Sequence, residues 1–140
     1  MKELTLNDFP LQTFDKVRYA DTDRQGHVNN AAFSTFLETG RVEFLYPPEY
    51  AILSEGASFV IASLQLEFLG EITWPGRVEI GTGILRIGNS SIRILQQLFQ
   101  AEKCVARAET IIVQVDDRSG KGSALSDRAK EKMRGWLLNE

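Results

Sequence analysis

From Phe59 onward the chain alternates apolar and polar side chains with a period of two, and the pattern recurs as far as Val115. Val60, Ala62, Leu64, Leu66 and Phe68 point one way in an extended chain, while Ser63, Gln65 and Glu67 point the other. The run reaches Ile72, about 45 Å if fully extended and well beyond an ordinary strand of about five or six residues. A strand that long must curve. Trp74-Pro75-Gly76-Arg77 then reads as a tight turn with Pro and Gly at favoured positions. Val78, Ile80, Thr82 and Ile84 alternate with Glu79, Gly81, Gly83 and Leu85, the paired glycines suiting a bend or bulge. After a turn at Gly88-Asn89-Ser90-Ser91, Ile92 to Ala101 and Cys104 to Val115 complete a meander with a polar break at Glu102-Lys103.

Two helices flank this sheet. Phe14 to Tyr19 is a short strand that runs into the turn-prone stretch Asp21 to Gly26. Asn29 or Asn30 then caps the segment AAFSTFLETGRVEFLY, whose Phe33, Phe36, Leu37, Gly40 and Phe44 line one helical face. Glycine in a helix costs about 1 kcal/mol against alanine, so Gly40 predicts close approach of the helix to a sheet. Pro47-Pro48 ends that helix. Near the C-terminus Ser126 caps a second helix with the stripe Ala129, Met133, Trp136 and Leu137. The order strand, helix, four long strands, helix is an α+β arrangement, with the first helix lying in the concave face of a curved antiparallel sheet.

A chain of 140 residues, 43% hydrophobic and 25% charged, with no repeat or linker, predicts one domain over residues 1–140. Acidic residues outnumber basic ones 19 to 16, which argues against duplex nucleic acid as a partner but leaves room for a polyanionic small molecule. Cys104 is the lone cysteine and falls in a strand, where it reads as a small apolar residue. The segment MKELTLNDFPLQTF lacks the pattern of a signal peptide, and no run of 18 apolar residues occurs. These features predict a reduced, cytoplasmic setting without a membrane span.

The stretch from Val17 to Leu45 holds the chemistry. Asp21, Asp23, His27, Asn29 and Asn30 all precede a helix with an apolar interior face. A helix N-terminus offers unpaired amides and a partial positive charge, so a carbonyl oxygen placed there is polarised. A carboxylate at the same mouth can attack that carbonyl or remove a proton from a water that does. An ordinary Asp, with a pKa of about 3.9, is ionised at neutral pH. Thioesters are electrophilic enough for such a modest nucleophile, and the apolar helix face would receive an acyl chain. Phe33, Phe36, Val60 and Ile61 are candidates to shape that pocket.

The motif D-T-D-x-x-G-H-V-N-N followed by x-x-F-x-x-F-L-E-x-G-R resembles the hotdog-fold acyl-CoA thioesterases of the 4-hydroxybenzoyl-CoA thioesterase group. The resemblance extends over nearly the whole chain, through strand order, the IGNSS turn and the terminal helix. It implies a hotdog fold in which Asp23 is the catalytic carboxylate and the backbone amide of Asn30 binds the thioester oxygen. It further implies an acyl-CoA or acyl-carrier-protein substrate, with coenzyme A entering as part of that substrate and no separate cofactor. Ser90 and Ser91 match the turn where relatives meet the CoA nucleotide or pantetheine arm. Relatives assemble as homodimers or homotetramers with pockets at subunit interfaces, and the HVNN spelling is similar to their long- and medium-chain branch.

Other polar residues have plainer readings. Asp21 is a turn and capping group, and Asn29 and Asn30 are explained by capping, so the Asn30 amide matters more than its side chain. His27 either orients Asp23 or a water, or packs beneath the loop. Glu38 and Arg41 lie one turn apart and can pair with each other, while the resemblance to relatives that carry their catalytic acid on this helix makes Glu38 a secondary candidate. Arg118 and Lys121 can reach phosphates or remain solvated. One histidine and no cysteine cluster cannot make a typical transition-metal site. A non-catalytic acyl-CoA sensor is the rival from another class. An enoyl-thioester hydratase is a further rival, disfavoured because Ala31 to Tyr46 contains neither Asp nor His.

Overall fold

The computed structural model of the chain describes residues 3–138. Five strands, β1 (Leu11–Lys16), β2 (Ala57–Phe68), β3 (Arg77–Ile87), β4 (Ser91–Gln100) and β5 (Lys103–Asp116), form one sheet, with helices α1 (Asn30–Leu45) and α2 (Asp127–Arg134). The sheet order is β1-β3-β4-β5-β2, and every neighbouring pair is antiparallel. Helix α1 packs against β1, β3 and β4. This is the hotdog arrangement that the sequence predicts.

Asn29 starts α1 by accepting the Ala31 amide on its side-chain oxygen at 2.9 Å. Phe33, Phe36, Leu37, Gly40 and Phe44 are buried, as their spacing requires. Gly40 has the expected purpose, since a Cβ there would lie 2.6 Å from Gln96 Nε2 and 2.8 Å from Ile80 Cγ2. Gln96 uses that proximity to donate from Nε2 to the Leu37 carbonyl and to Thr82 Oγ1, each at 3.0 Å. This polar layer divides the core. On one side Phe33, Phe36 and Leu37 meet Ile80, Leu98 and Ala108; on the other Phe44 and Leu45 meet Ile84, Ile94 and Ile112. Each large side chain buried this way contributes about 1.5–3 kcal/mol.

Several sequence expectations need correction. The first strand is Leu11–Lys16 rather than Phe14 to Tyr19, because its register with β3 ends at Lys16 and the chain then tightens into a turn at Tyr19–Asp21. Strand β2 stops at Phe68 rather than Ile72, where the Leu69 and Gly70 amides both turn to the Val105 carbonyl. Its alternation also breaks at a register shift between Ile61 and Ser63. In β3 the bulge falls between Ile84 and Arg86, not at the glycines. Gly81 and Gly83 instead admit Phe9 and Leu138, against whose side chains added Cβ atoms would lie 2.6 and 2.4 Å away. Helix α2 ends at Arg134, so Trp136 and Leu137 follow it, and Leu137 bridges to Ile84.

Candidate active site

The segment before α1 folds into a small closed loop. Thr22 and Val28 form an isolated antiparallel bridge, the Asp23 amide donates to the His27 carbonyl at 2.7 Å, and Gly26 takes φ +81° at the tip. A side chain at that φ is strained, so glycine belongs there. The Asp23 carboxylate accepts the amides of Gln25 at 2.8 Å and His27 at 3.2 Å, both on Oδ1. Its Oδ2 has no hydrogen bond among the described residues. Asp21 is committed elsewhere, taking the Arg18 amide on Oδ2 and the Asn29 amide on its carbonyl.

At the start of α1, Ala31 donates to the Asn29 side chain and Ala32 to the Asn29 carbonyl. The Asn30 amide has no acceptor among the described residues. An open amide at the positive end of a 16-residue helix is a ready site for an electron-rich oxygen.

Asp23, His27, Asn30 and Phe33 line one cleft of about 510 Å³, closed on its other side by Phe68, Leu69, Gly70 and Glu71. Phe33 is 2% exposed and meets Phe68 edge to face, with ring centroids 5.0 Å apart. His27 Nε2 lies 3.1 Å from Glu71 Oε2. Glu71 was invisible to sequence reasoning, which assigned it to a continuing strand; only the end of β2 at Phe68 frees its segment to face the loop.

The remaining candidates lie elsewhere in the protomer. Phe36 is fully buried beneath the cleft rather than lining it. Val60 and Ile61 sit on the outer strand β2, 45% and 50% exposed, outside the cleft. Ser90 and Ser91 belong to the opposite end of β3 and β4, about 30 Å along the strand from the Trp74–Gly76 turn that adjoins the loop. Arg118 and Lys121 are exposed on the β5–α2 connection. Glu38 and Arg41 do not pair. Glu38 is exposed, while Arg41 turns inward to 7% exposure, leaving Nη1 without a hydrogen bond. Burial pushes the Arg41 guanidinium below its ordinary pKa, against the opposing pull of Glu38 and Tyr46.

A family model of the thioesterase-like superfamily matches residues 17–137. The chain belongs to that superfamily. The match spans the loop, α1, the four long strands and α2, and it makes the protein a thioester hydrolase by family. The acyl-CoA thioester hydrolase YbgC of Escherichia coli O6:H1 is 30% identical over 114 residues, covering 79% of this chain and 85% of that one. Among solved structures, a predicted thioesterase from Bacillus stearothermophilus superposes with a TM-score of 0.83 at 27% identity, covering 93% of this chain and 98% of its own. The PA5185 protein of Pseudomonas aeruginosa shares the fold with a TM-score of 0.85 at 22% identity over 96% of both chains.

Proposed function

We propose that this chain hydrolyses acyl-CoA thioesters to a free acid and the CoA thiol, with Asp23 as nucleophile or general base and the Asn30 amide polarising the thioester carbonyl. One observation supports the reading: Asp23, whose Oδ2 makes no hydrogen bond among the described residues, and Asn30, whose amide has no acceptor among them, line the same cleft. The amide gains strength as the carbonyl oxygen becomes an anion, which is the condition for lowering a barrier rather than merely binding. The Phe33–Phe68 wall supports an acyl group beside these polar atoms. The name of the YbgC relative supports CoA as the carrier.

The proposed working unit is a homo-oligomer of a one-domain chain in the cytoplasm. Ile61, Leu64 and Phe68 form an exposed apolar row on the outer edge of β2, at 50%, 38% and 50% exposure. An unprotected edge of that kind is an aggregation hazard unless another chain covers it. Val60 and Ile61 would then meet substrate only through such an assembly. No helix among the described residues is long and apolar enough to cross a membrane. Among the described residues no group of three or more His, Cys, Asp or Glu is placed to hold a metal ion.

A free-thiol assay over acyl-CoAs of varied length, run beside an absorbance assay on crotonyl-CoA, tests the reading. Thiol release with at least one acyl-CoA and no hydration of crotonyl-CoA is expected. Tight binding of acyl-CoA with no thiol released across the panel would replace the enzyme by a sensor.

A further inference from the structure

The reading above leaves the nucleotide end of CoA without a place, since Ser90 and Ser91 lie at the far end of β3 and β4 from the cleft. Beside the loop stands an exposed aromatic pair. Tyr19 is 72% exposed and Trp74 is 45% exposed, and their rings meet edge to face with centroids 5.1 Å apart. Edge-to-face packing at that exposure leaves ring surface open to solvent, which is the form of a platform for stacking a planar base. The backbone under both rings is fixed. The Tyr19 carbonyl accepts the Thr22 amide at 3.1 Å and Thr22 Oγ1 at 2.7 Å. Trp74 follows Thr73, whose amide donates to Gln100 Oε1 at 2.9 Å and which bridges to His27.

That bridge ties the aromatic pair to the cleft. His27 is joined to Asp23 in turn, through its carbonyl and the Asp23 amide. Two such backbone pairings and one peptide step put the Trp74 Cα within about 15 Å of the Asp23 Cα, a span that the pantetheine arm bridges. Charge on the same segment suits the phosphates that lie between arm and base. The Arg18 side chain is 58% exposed, and its guanidinium stands 4.0 Å from Asp21 Oδ1, beyond hydrogen-bond reach. Arg24 is exposed in the loop, and its side chain has no partner among the described residues. Arg77 is committed elsewhere, held by Glu79 at 2.6 Å and lying over the Phe14 ring.

We propose that Tyr19 and Trp74 stack the adenine of CoA while Arg18 and Arg24 meet its phosphates, on the protomer that also carries Asp23. The inference rests on CoA as the carrier in the reading above and deepens it, because an acyl-carrier protein presents its pantetheine arm with no base to stack. A contact made equally in ground and transition states is uniform binding, so this subsite lowers KM and leaves kcat alone.

One acyl group presented to the full chain on CoA and on pantetheine alone tests this. The parent should show a KM for acyl-CoA at least about 10-fold lower than for acyl-pantetheine, within the range for one stacked base. Trp74→Ala should shrink that ratio about 10-fold and Tyr19→Ala should shrink it several-fold, while Trp74→Phe, which keeps a ring, should retain most of it. Combining Arg18→Gln with Arg24→Gln should raise KM for acyl-CoA and flatten its dependence on salt. Adenosine 3′,5′-bisphosphate, the nucleotide end without the arm, gives a readout free of turnover. It should quench tryptophan emission saturably in the parent and not in Trp74→Ala, where Trp136 remains against Phe44 and Tyr50. Equal KM values for the two substrates in the parent, or quenching that survives Trp74→Ala, would overturn the proposal. So would a KM for an acyl-carrier protein that rises in Trp74→Ala while the acyl-CoA value is unchanged. If neither substrate releases thiol, the hydrolase reading fails and the quenching titration still decides the subsite: saturable quenching lost in Trp74→Ala upholds it, and no quenching overturns it.

Discussion

Gly40 and Gln96 sit closer together than any side chain at position 40 would allow, the Gln96 amide nitrogen lying 2.6 Å from where a Cβ would project. That approach lets one side chain tie the Leu37 carbonyl of α1 to Thr82 of β3. Gly40→Ala gains about 1 kcal/mol of helix propensity but overpacks the layer, a change that costs about 1–3 kcal/mol. Urea denaturation is expected to show a net loss of stability of about 1 kcal/mol. A stabilised variant would mean that the helix has room to spare.

The cap on α1 governs both stability and the site. Asn29→Ala removes the acceptor of the Ala31 amide and is expected to cost about 1 kcal/mol in thermal or urea unfolding. Fraying the first turn also blurs the position of the Asn30 amide, so kcat on the best acyl-CoA should fall several-fold with the fold retained. Unchanged kcat in a destabilised variant would detach the helix start from the chemistry.

The β2 edge should carry the assembly. Sedimentation is expected to show the parent as a homodimer or larger, and Ile61→Asp should shift it toward monomer, because a charge placed in the apolar row must be buried on association. Loss of kcat should accompany that shift. A parent that sediments as monomer at assay concentrations with full activity would contradict this.

Cys104 offers a check on the convex side of the sheet. Its Sγ accepts from Gln97 Nε2 at 3.3 Å and donates to the Ala106 carbonyl at 3.4 Å, and burial pushes its thiol above the ordinary pKa. The raised pKa means less thiolate at neutral pH than a free cysteine holds. Ellman's reagent should therefore label the folded chain more slowly than it labels glutathione at pH 7.5, and urea should remove the difference. Labelling at the glutathione rate would show an accessible, ordinary thiol.

Local pattern made much of this molecule legible in advance. The Asn29 cap, the buried stripe of α1 and the purpose of Gly40 depend on residues within a few turns of one another, and all three stand in the structure. What stayed hidden depends on partners distant in sequence. Alternation alone gave β2 an inward apolar face, but its place at the sheet edge leaves Ile61 and Phe68 half exposed. Glu71 stayed hidden because its meaning comes from His27, brought close only when β2 ends and the chain turns back to the loop. Ser90 and Ser91 were assigned to substrate by likeness, and within one protomer the length of β3 separates them from Asp23.

Steady-state thiol release by Asp23→Asn puts the proposed chemistry at greatest risk. Asparagine keeps an oxygen to accept the Gln25 and His27 amides, so the loop and the unfolding midpoint should be preserved. Turnover of the best acyl-CoA should fall at least about 1,000-fold, as loss of a nucleophile or a base in a positioned site requires. A folded Asp23→Asn protein that releases CoA at the parent rate would contradict the account.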